Sequence, residues 1–545
     1  MKQFTLTLII LLSLAVNIAT AQTIYVKADA TGSNDGSSWA DAFTILQDAL
    51  DVAAAGDEIW VAAGTYKPTK KVAAIDNEGN PTTERDMAFV LLPDVKIYGG
   101  FVGTETTLVE RQLPPFGTPS PTILSGAISD TDSCYHVIVS AGEVGAALID
   151  GLTITGGNAN GNYYICPTAN GQAIRRDGGG GVYNTFSSPT LTNVTISGNV
   201  ATAGGGIYNY TSSPTLASVV ISENTASNSG GGMSGVSLST SGCYATLTNV
   251  RICGNNGGGR GGGISNMSHC ILTNVVISGN YAAEGGGIYN LALFQCELIN
   301  VTISGNRAYY GGGILTNDTQ TFNSIITLTN VTISGNVAYN KGGGMFNSDA
   351  SPTLNNTLIW GNNTGVDNYS QYIISTPIYT NCLVQDLNPE GEGNIDGTQN
   401  YSKMFLNAID ASQAPTTEGD YSLVAGSPCI NAGNNNYNTT STDLAGNPRI
   451  FDGTIDVGAY EYCSVGIIGY DAQTLNIYPN PATNNITISG ISKKDNITIT
   501  DLSGRTIIRT VANDETETID VSGLPAGIYV VVAGKAVGKL IIDNK

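Results

Sequence analysis

Charge is scarce in this chain: Asp, Glu, Lys and Arg make up 12% of its 545 residues, and what charge exists is mostly acidic, giving a formal net charge of −21. A protein with that balance does not attract a phosphate backbone, so nucleic acid is excluded as a partner. No run within the repeats shows the 3.6-residue apolar period of a helix, which excludes helical repeats. Beyond the first twenty residues no stretch is apolar enough to cross a bilayer, so no transmembrane segment is expected. The nine cysteines include no CxxC pair and show no metal-ligand spacing. Of the two histidines, His136 in CYHVIV reads as a packed residue and His269 lies in a variable loop.

Glycine, by contrast, is abundant, with 68 residues. Much of it belongs to a repeat typified by SPTLTNVTISGNVATAGGGIYN, Ser188 to Asn209. A small-Gly-Asn signature places Asn at 199, 224, 255, 280, 306, 336 and 362, with glycine triplets recurring in step. Spacings of 25 to 31 residues mark a solenoid or an array.

Within a repeat, Val and Ile alternate with Thr as in a half-buried strand. The three-residue step from Leu191 to Val194 breaks that alternation and requires a corner, where Asn accepts the left-handed conformation. Asn193, Asn249, Asn274, Asn300 and Asn330 occupy this corner and are expected to stack as an amide ladder. Gly-Asn makes a second corner, and GGGIYN a third strand. Three strands and three corners describe one coil of a right-handed parallel β-helix. The predicted fold is therefore all-β: a single-stranded β-helix solenoid with an N-terminal capping helix, followed by a small Ig-like β-sandwich. Coils stack at ~4.8 Å, so seven regular coils span about 34 Å. Cys270 and Cys296 each precede a ladder leucine by two residues and should stack, as a disulfide or as packed thiols. Cys243 could compete for Cys270.

Residues 1–21 read as a secretory signal: Lys2, an apolar run, then Ala19-Thr20-Ala21, with cleavage between Ala21 and Gln22. The solenoid is assigned to 22–463, with a cap at 22–58, regular coils at 178–362 and a C-terminal cap region at 381–463. Trp39 to Ala53 carries apolar residues at helical spacing and is the predicted capping helix. Asn158 to Gly178 is an insertion expected to project as a loop. A linker at 464–470 leads to seven short alternating strands in 471–545, the pattern of a sandwich.

DGSSWADAF, GDEIWVAAGTY and VKIYGGFVGTET resemble the amino-terminal part of secreted pectate-lyase-like β-helix proteins. GGGIYN and LTNVTISGN are similar to repeats of the polymorphic outer-membrane proteins. The tail is similar to the C-terminal sorting domain of the type IX secretion system, through Tyr478-Pro479-Asn480-Pro481, Asp501-Leu502-Ser503-Gly504 and Leu524-Pro525-Ala526-Gly527-Ile528-Tyr529. These resemblances imply type IX secretion machinery as a partner, export through the outer membrane and attachment to the cell surface. They imply fold more than activity, because such coils carry lyases, hydrolases and adhesins alike.

Lyases of this resemblance need clustered acids for a cation and a nearby base, and hydrolases need two carboxylates. No two acids share a ladder position in neighbouring regular coils. Asp130 and Asp132 could hold Ca²⁺, although a solvated loop also accounts for them; no cofactor is required by the sequence. Gly257 to Gly263 lacks the GK[ST] ending of a phosphate loop and reads as a corner. Tyr183, Tyr208 and Tyr289 should point outward from the GGGIYN strand with Tyr309 in the loop before it, a surface suited to stacking on sugars. The expected function is adhesion or glycan binding at a host or neighbour surface. The alternatives are a polysaccharide lyase or hydrolase with its site in the irregular N-terminal coils, and a rigid spacer.

Overall fold

A computed structural model of the chain describes residues 21–238, 244–291, 295–318, 326–370, 375–463, 475–501, 506–534 and 536–543. Apart from Ala21, the expected signal segment lies outside these residues, as do the 464–470 linker and Cys243. Two compact units divide the chain, Met1–Tyr462 and Cys463–Lys545.

A parallel β-helix forms the first unit. Its coils feed one twenty-stranded and one ten-stranded sheet. An inward ladder in the larger sheet runs Ile24, Ile59, Ile97, Ile149, Leu191, Leu216, Leu247, Leu272, Leu298, Leu328, Leu354 and Tyr379. All twelve are buried. Thr23–Val26 is thus the first rung of the solenoid, pairing in parallel with Glu58–Ala62.

The corner between the two strands holds left-handed residues in successive coils. Asn193, Asn249, Asn274, Asn300 and Asn330 have φ between 53° and 57°. Amides bond along the stack in two runs, Asn300 to Asn274 to Asn249 and Asn356 to Asn330, whereas Asn193 stands outside the ladder and donates to Asp150 Oδ1 at 2.8 Å. Ser218 takes the position between Asn193 and Asn249 at φ 55°.

The Asn of the Gly-Asn corner builds a second and more deeply buried ladder. Each Oδ1 from Asn224 to Asn362 accepts both the backbone N–H and the side-chain Nδ2 of the Asn one coil earlier, at 2.9–3.1 Å. Every Nδ2 from Asn199 to Asn362 also donates to an isoleucine carbonyl of an earlier coil. Asn199 to Asn336 are 0–1% exposed, so these amides meet their partners without water.

The glycine triplet is fixed by two different demands. Gly285 has φ +67°, whereas a Cβ on Gly286 would lie 2.5 Å from the Gly312 carbonyl oxygen and 2.6 Å from that of Arg307. The second and third glycines therefore permit the close approach of stacked backbones. Gly286→Ala is expected to force neighbouring coils apart and cost about 1–3 kcal/mol or more. Faster amide exchange at Ile288 and Ile314 would show it; unchanged exchange would mean that the stack yields at no cost.

The helix is shorter than the sequence suggests. α1 spans Leu46–Val52, and its Leu46, Ala49 and Leu50 join the core beside the first rungs. Trp39 lies outside it because its ring is taken by Tyr25, 4.8 Å away, and its Nε1 donates to the Glu105 carbonyl.

Past the last rungs the chain turns back along the solenoid's flank instead of adding coils. Gly458 N donates to the Asn356 carbonyl, Asn300 Nδ2 to that of Thr442, and Thr416 N to that of Gly305. Cys270 and Cys296 stand in register, buried in the core as free thiols.

Among its described residues the second unit has seven antiparallel strands in sheets of three and four. Ile486, Ile488, Ile497, Ile499, Val531 and Leu540 fill its core.

Candidate functional site

The outward face of the ten-stranded sheet carries the GGGIYN tyrosines, and register sets its columns. Tyr183, Tyr208, Ser234, Ser265, Tyr289, Leu315, Phe346 and Asp367 form one column. Leu291, Asn317, Ser348 and Tyr369 lie in the next. On the other flank Arg260, Glu284, Tyr310 and Lys341 stack coil on coil.

Tyr183, Tyr208 and Tyr289 project away from the coil interior but are not open to solvent, being 0%, 2% and 1% exposed. The 158–178 insertion does not project; it folds back over Tyr183 and Tyr208. Arg176 anchors it with two bonds to the buried carboxylate of Asp86, at 2.6 and 2.9 Å. Arg175 pairs with Asp177, donates to the Tyr208 hydroxyl at 2.9 Å and lies 3.8 Å from the centre of the Tyr163 ring. The Tyr183 and Tyr208 rings stack beneath at 5.6 Å. Burial pushes the Tyr208 phenol up to about 12 and raises that of Tyr183 further. An insertion's fold is invisible to residue alternation, which is why these tyrosines read as exposed.

Tyr289 is covered differently. Arg260 lies 5.1 Å from its ring centre and pairs with Glu284 at 3.2 Å, while Asn317 Nδ2 approaches its hydroxyl at 3.4 Å. Tyr309 is 50% exposed and meets Tyr310 edge-on at 4.9 Å.

Further along the same face a cleft opens, about 390 Å³ in volume, lined by Glu284, Tyr310, Leu315, Asn317, Asn340, Lys341, Phe346, Ser348 and Tyr369. Leu315 and Phe346 form its apolar floor. The Tyr310 and Phe346 rings stack at 5.6 Å, and Asn340 Nδ2 holds the Tyr310 hydroxyl at 3.0 Å. The Lys341 ammonium lies 5.4 Å from the Tyr369 ring centre. Amides, hydroxyls, the Glu284 carboxylate and the Lys341 ammonium thus surround flat apolar surface, a composition suited to an amphipathic ring. None of the four tyrosines expected to bind lines the cleft, though Tyr289 packs beside its floor residues Leu315 and Phe346. Phe346 stands where the consensus copy has Tyr208, and Tyr369 stands in the column of Tyr210, one residue past the GGGIYN signature.

Asp132 forms an ion pair with Arg85 at 3.3 Å and, like Asp130, is exposed. No group of three or more His, Cys, Asp or Glu placed to hold a metal occurs among the described residues. His136 is fully buried, with Nδ1 2.9 Å from the Gly179 carbonyl, and burial pushes its pKa down to about 4. His269 stacks on Tyr244 at 4.5 Å.

Residues 476–543 match the family model for the secretion system C-terminal sorting domain. The chain carries a sorting tail. The tail coincides with the seven-stranded unit and marks the protein for export. No helix among the described residues is long and apolar enough to cross a membrane. No curated protein matches the chain. Among solved structures, pectate lyase Pel9A is similar at 13% identity and a TM-score of 0.47, over 82% of this chain and 97% of its own. Pectin methylesterase PemA from Erwinia chrysanthemi is similar at 10% identity and a TM-score of 0.23, over 70% and 95%. The family 28 exopolygalacturonase from Yersinia enterocolitica gives 13% identity and a TM-score of 0.17, over 66% and 79%.

Proposed function

We propose that the protein is a secreted, surface-attached β-helix that binds glycan through the cleft between Tyr310, Phe346 and Tyr369. The cleft itself carries this reading: aromatic faces and an apolar floor beside the amides of Asn317 and Asn340. The sorting tail supports delivery through type IX secretion machinery to the outer cell surface, where such a cleft meets polysaccharide. Adhesion is then the sum of many such contacts between one surface and another.

Aromatic contacts contribute about 0.5–1.5 kcal/mol each. Phe346→Ala and Tyr369→Ala together should therefore weaken retention on a bound polysaccharide by about tenfold or more. Tyr208→Ala, beneath the insertion, should leave retention unchanged. Affinity electrophoresis against a panel of acidic and neutral polysaccharides measures both. Loss with Tyr208→Ala and none with the Phe346/Tyr369 pair would move the site off the cleft.

A further inference from the structure

Asp57 is a buried carboxylate, 4% exposed, with no Lys or Arg side chain paired to it among the described residues. The nearest strand's cation, Lys96, is paired with Glu58 at 3.7 Å. Asp57 Oδ2 accepts Ala54 N at 2.8 Å, closing the turn after α1. Its Oδ1 accepts Gln22 N at 2.9 Å, and Gln22 Nε2 lies 3.4 Å from Oδ2. Gln22 is exposed and immediately precedes the first rung.

A buried carboxylate without a cation is costly to the fold. In the uncut chain the Gln22 donor is a neutral peptide N–H, yet it is also the atom that the expected cleavage would turn into an amine.

We propose that hydrolysis of the Ala21–Gln22 bond makes the α-ammonium of Gln22 the counter-ion of Asp57, so that removal of the leader completes the N-terminal end of the solenoid. Water adds across the amide: Ala21 leaves with the new carboxylate, and Gln22 keeps the nitrogen, which takes up a proton. An α-amine has a pKa of about 8 and is charged at neutral pH. A charge-assisted bond to a carboxylate is roughly twice as strong as a neutral one. The gain is local, holding Thr23–Val26 against Glu58–Ala62 at the open end of the stack. This inference rests on the leader's sequence and on Asp57, and is independent of the glycan cleft.

Two measurements test it. The mass of the secreted protein's N-terminal peptide should place the start at Gln22 with a free amine. A start elsewhere overturns the proposal, and so does a peptide lighter by one ammonia, since cyclisation of Gln22 would remove the charge. Hydrogen exchange is then compared between the full protein starting at Gln22 and the same protein extended by Ala19-Thr20-Ala21. Amides of Thr23–Val26 should exchange about tenfold faster in the extended protein, the change expected for one charge-assisted contact. Asp57→Asn should abolish the difference. Equal exchange in the two forms with Asp57 present contradicts the proposal, and this comparison stands even if Asp57→Asn fails to fold.

Discussion

Asn280→Ala is expected to open the solenoid at its middle, at a cost of about 4 kcal/mol, because a buried donor or acceptor left without a partner costs about 1–3 kcal/mol. The Asn280 Oδ1 receives Asn255 N at 2.9 Å and Asn255 Nδ2 at 3.0 Å, and its Nδ2 serves the carbonyl of Ile252 and Oδ1 of Asn306. Alanine removes all four bonds in a position that is 0% exposed, and no water reaches the orphaned Asn255 N–H. Coils of a solenoid contact only their neighbours, so the loss should appear as local opening around one coil. Hydrogen exchange at Asn255 and Asn280 reads it directly, and denaturant melting gives the sum. Asn274→Gly is the control: that corner is partly exposed, glycine accepts its φ of 57°, and two amide bonds are lost to water. It should cost under about 1 kcal/mol. Equal effects at the two corners would show that the inner ladder is not what fixes coil spacing.

Arg449→Met should detach the returning C-terminal segment, at about 3–5 kcal/mol, the penalty for stripping a buried charge of its partner. Arg449 is 1% exposed, pairs with Glu461 at 3.0 Å and donates to the carbonyl of Gly458. Asp443 and Asp456 are buried near the same guanidinium, accepting backbone N–H groups of Ala445 and Asn447, and of Asn431 and Tyr462, respectively. Without the guanidinium three carboxyl groups share one site. Burial pushes the Glu461 carboxyl up to about 8, against the pull of Arg449. A folded pKa above the unfolded value makes this group's contribution full below about pH 4.5 and lost as pH rises through about 8. Docking of the segment should therefore weaken from mildly acidic to mildly alkaline pH, and Glu461→Gln should flatten that slope. Protease nicking between residues 411 and 462, followed against pH, measures both; resistance unchanged by Arg449→Met would remove the network from the account.

The coils were legible because each one repeats its own constraints. Asn at a left-handed corner, Ile and Leu inward, and glycine at a close approach all recur with the period and so identify themselves. The inner Asn ladder was visible as spacing, but its two-way bonding depends on stacking that no single repeat displays. The insertion was legible only as an interruption; its Arg175 and Arg176 find Tyr208 and Asp86 through tertiary packing, and this buries the tyrosines that alternation turns outward. Arg449 was missed because Asp-Gly and Asx turns account for its acidic neighbours without a cation. The cleft arises where repeats depart from their consensus, at Leu315 and Phe346 in the Tyr208 column, and departures carry no period to reveal them.

The central claim, that the cleft holds glycan, is tested most directly by screening the full secreted protein and its Phe346→Ala/Tyr369→Ala variant against acidic and neutral polysaccharides. Retention and the release of reducing or unsaturated ends would both be recorded. Retention of the native protein without product, lost in the variant, is the predicted result. Product release that survives in the variant, or retention indifferent to both substitutions, would contradict it.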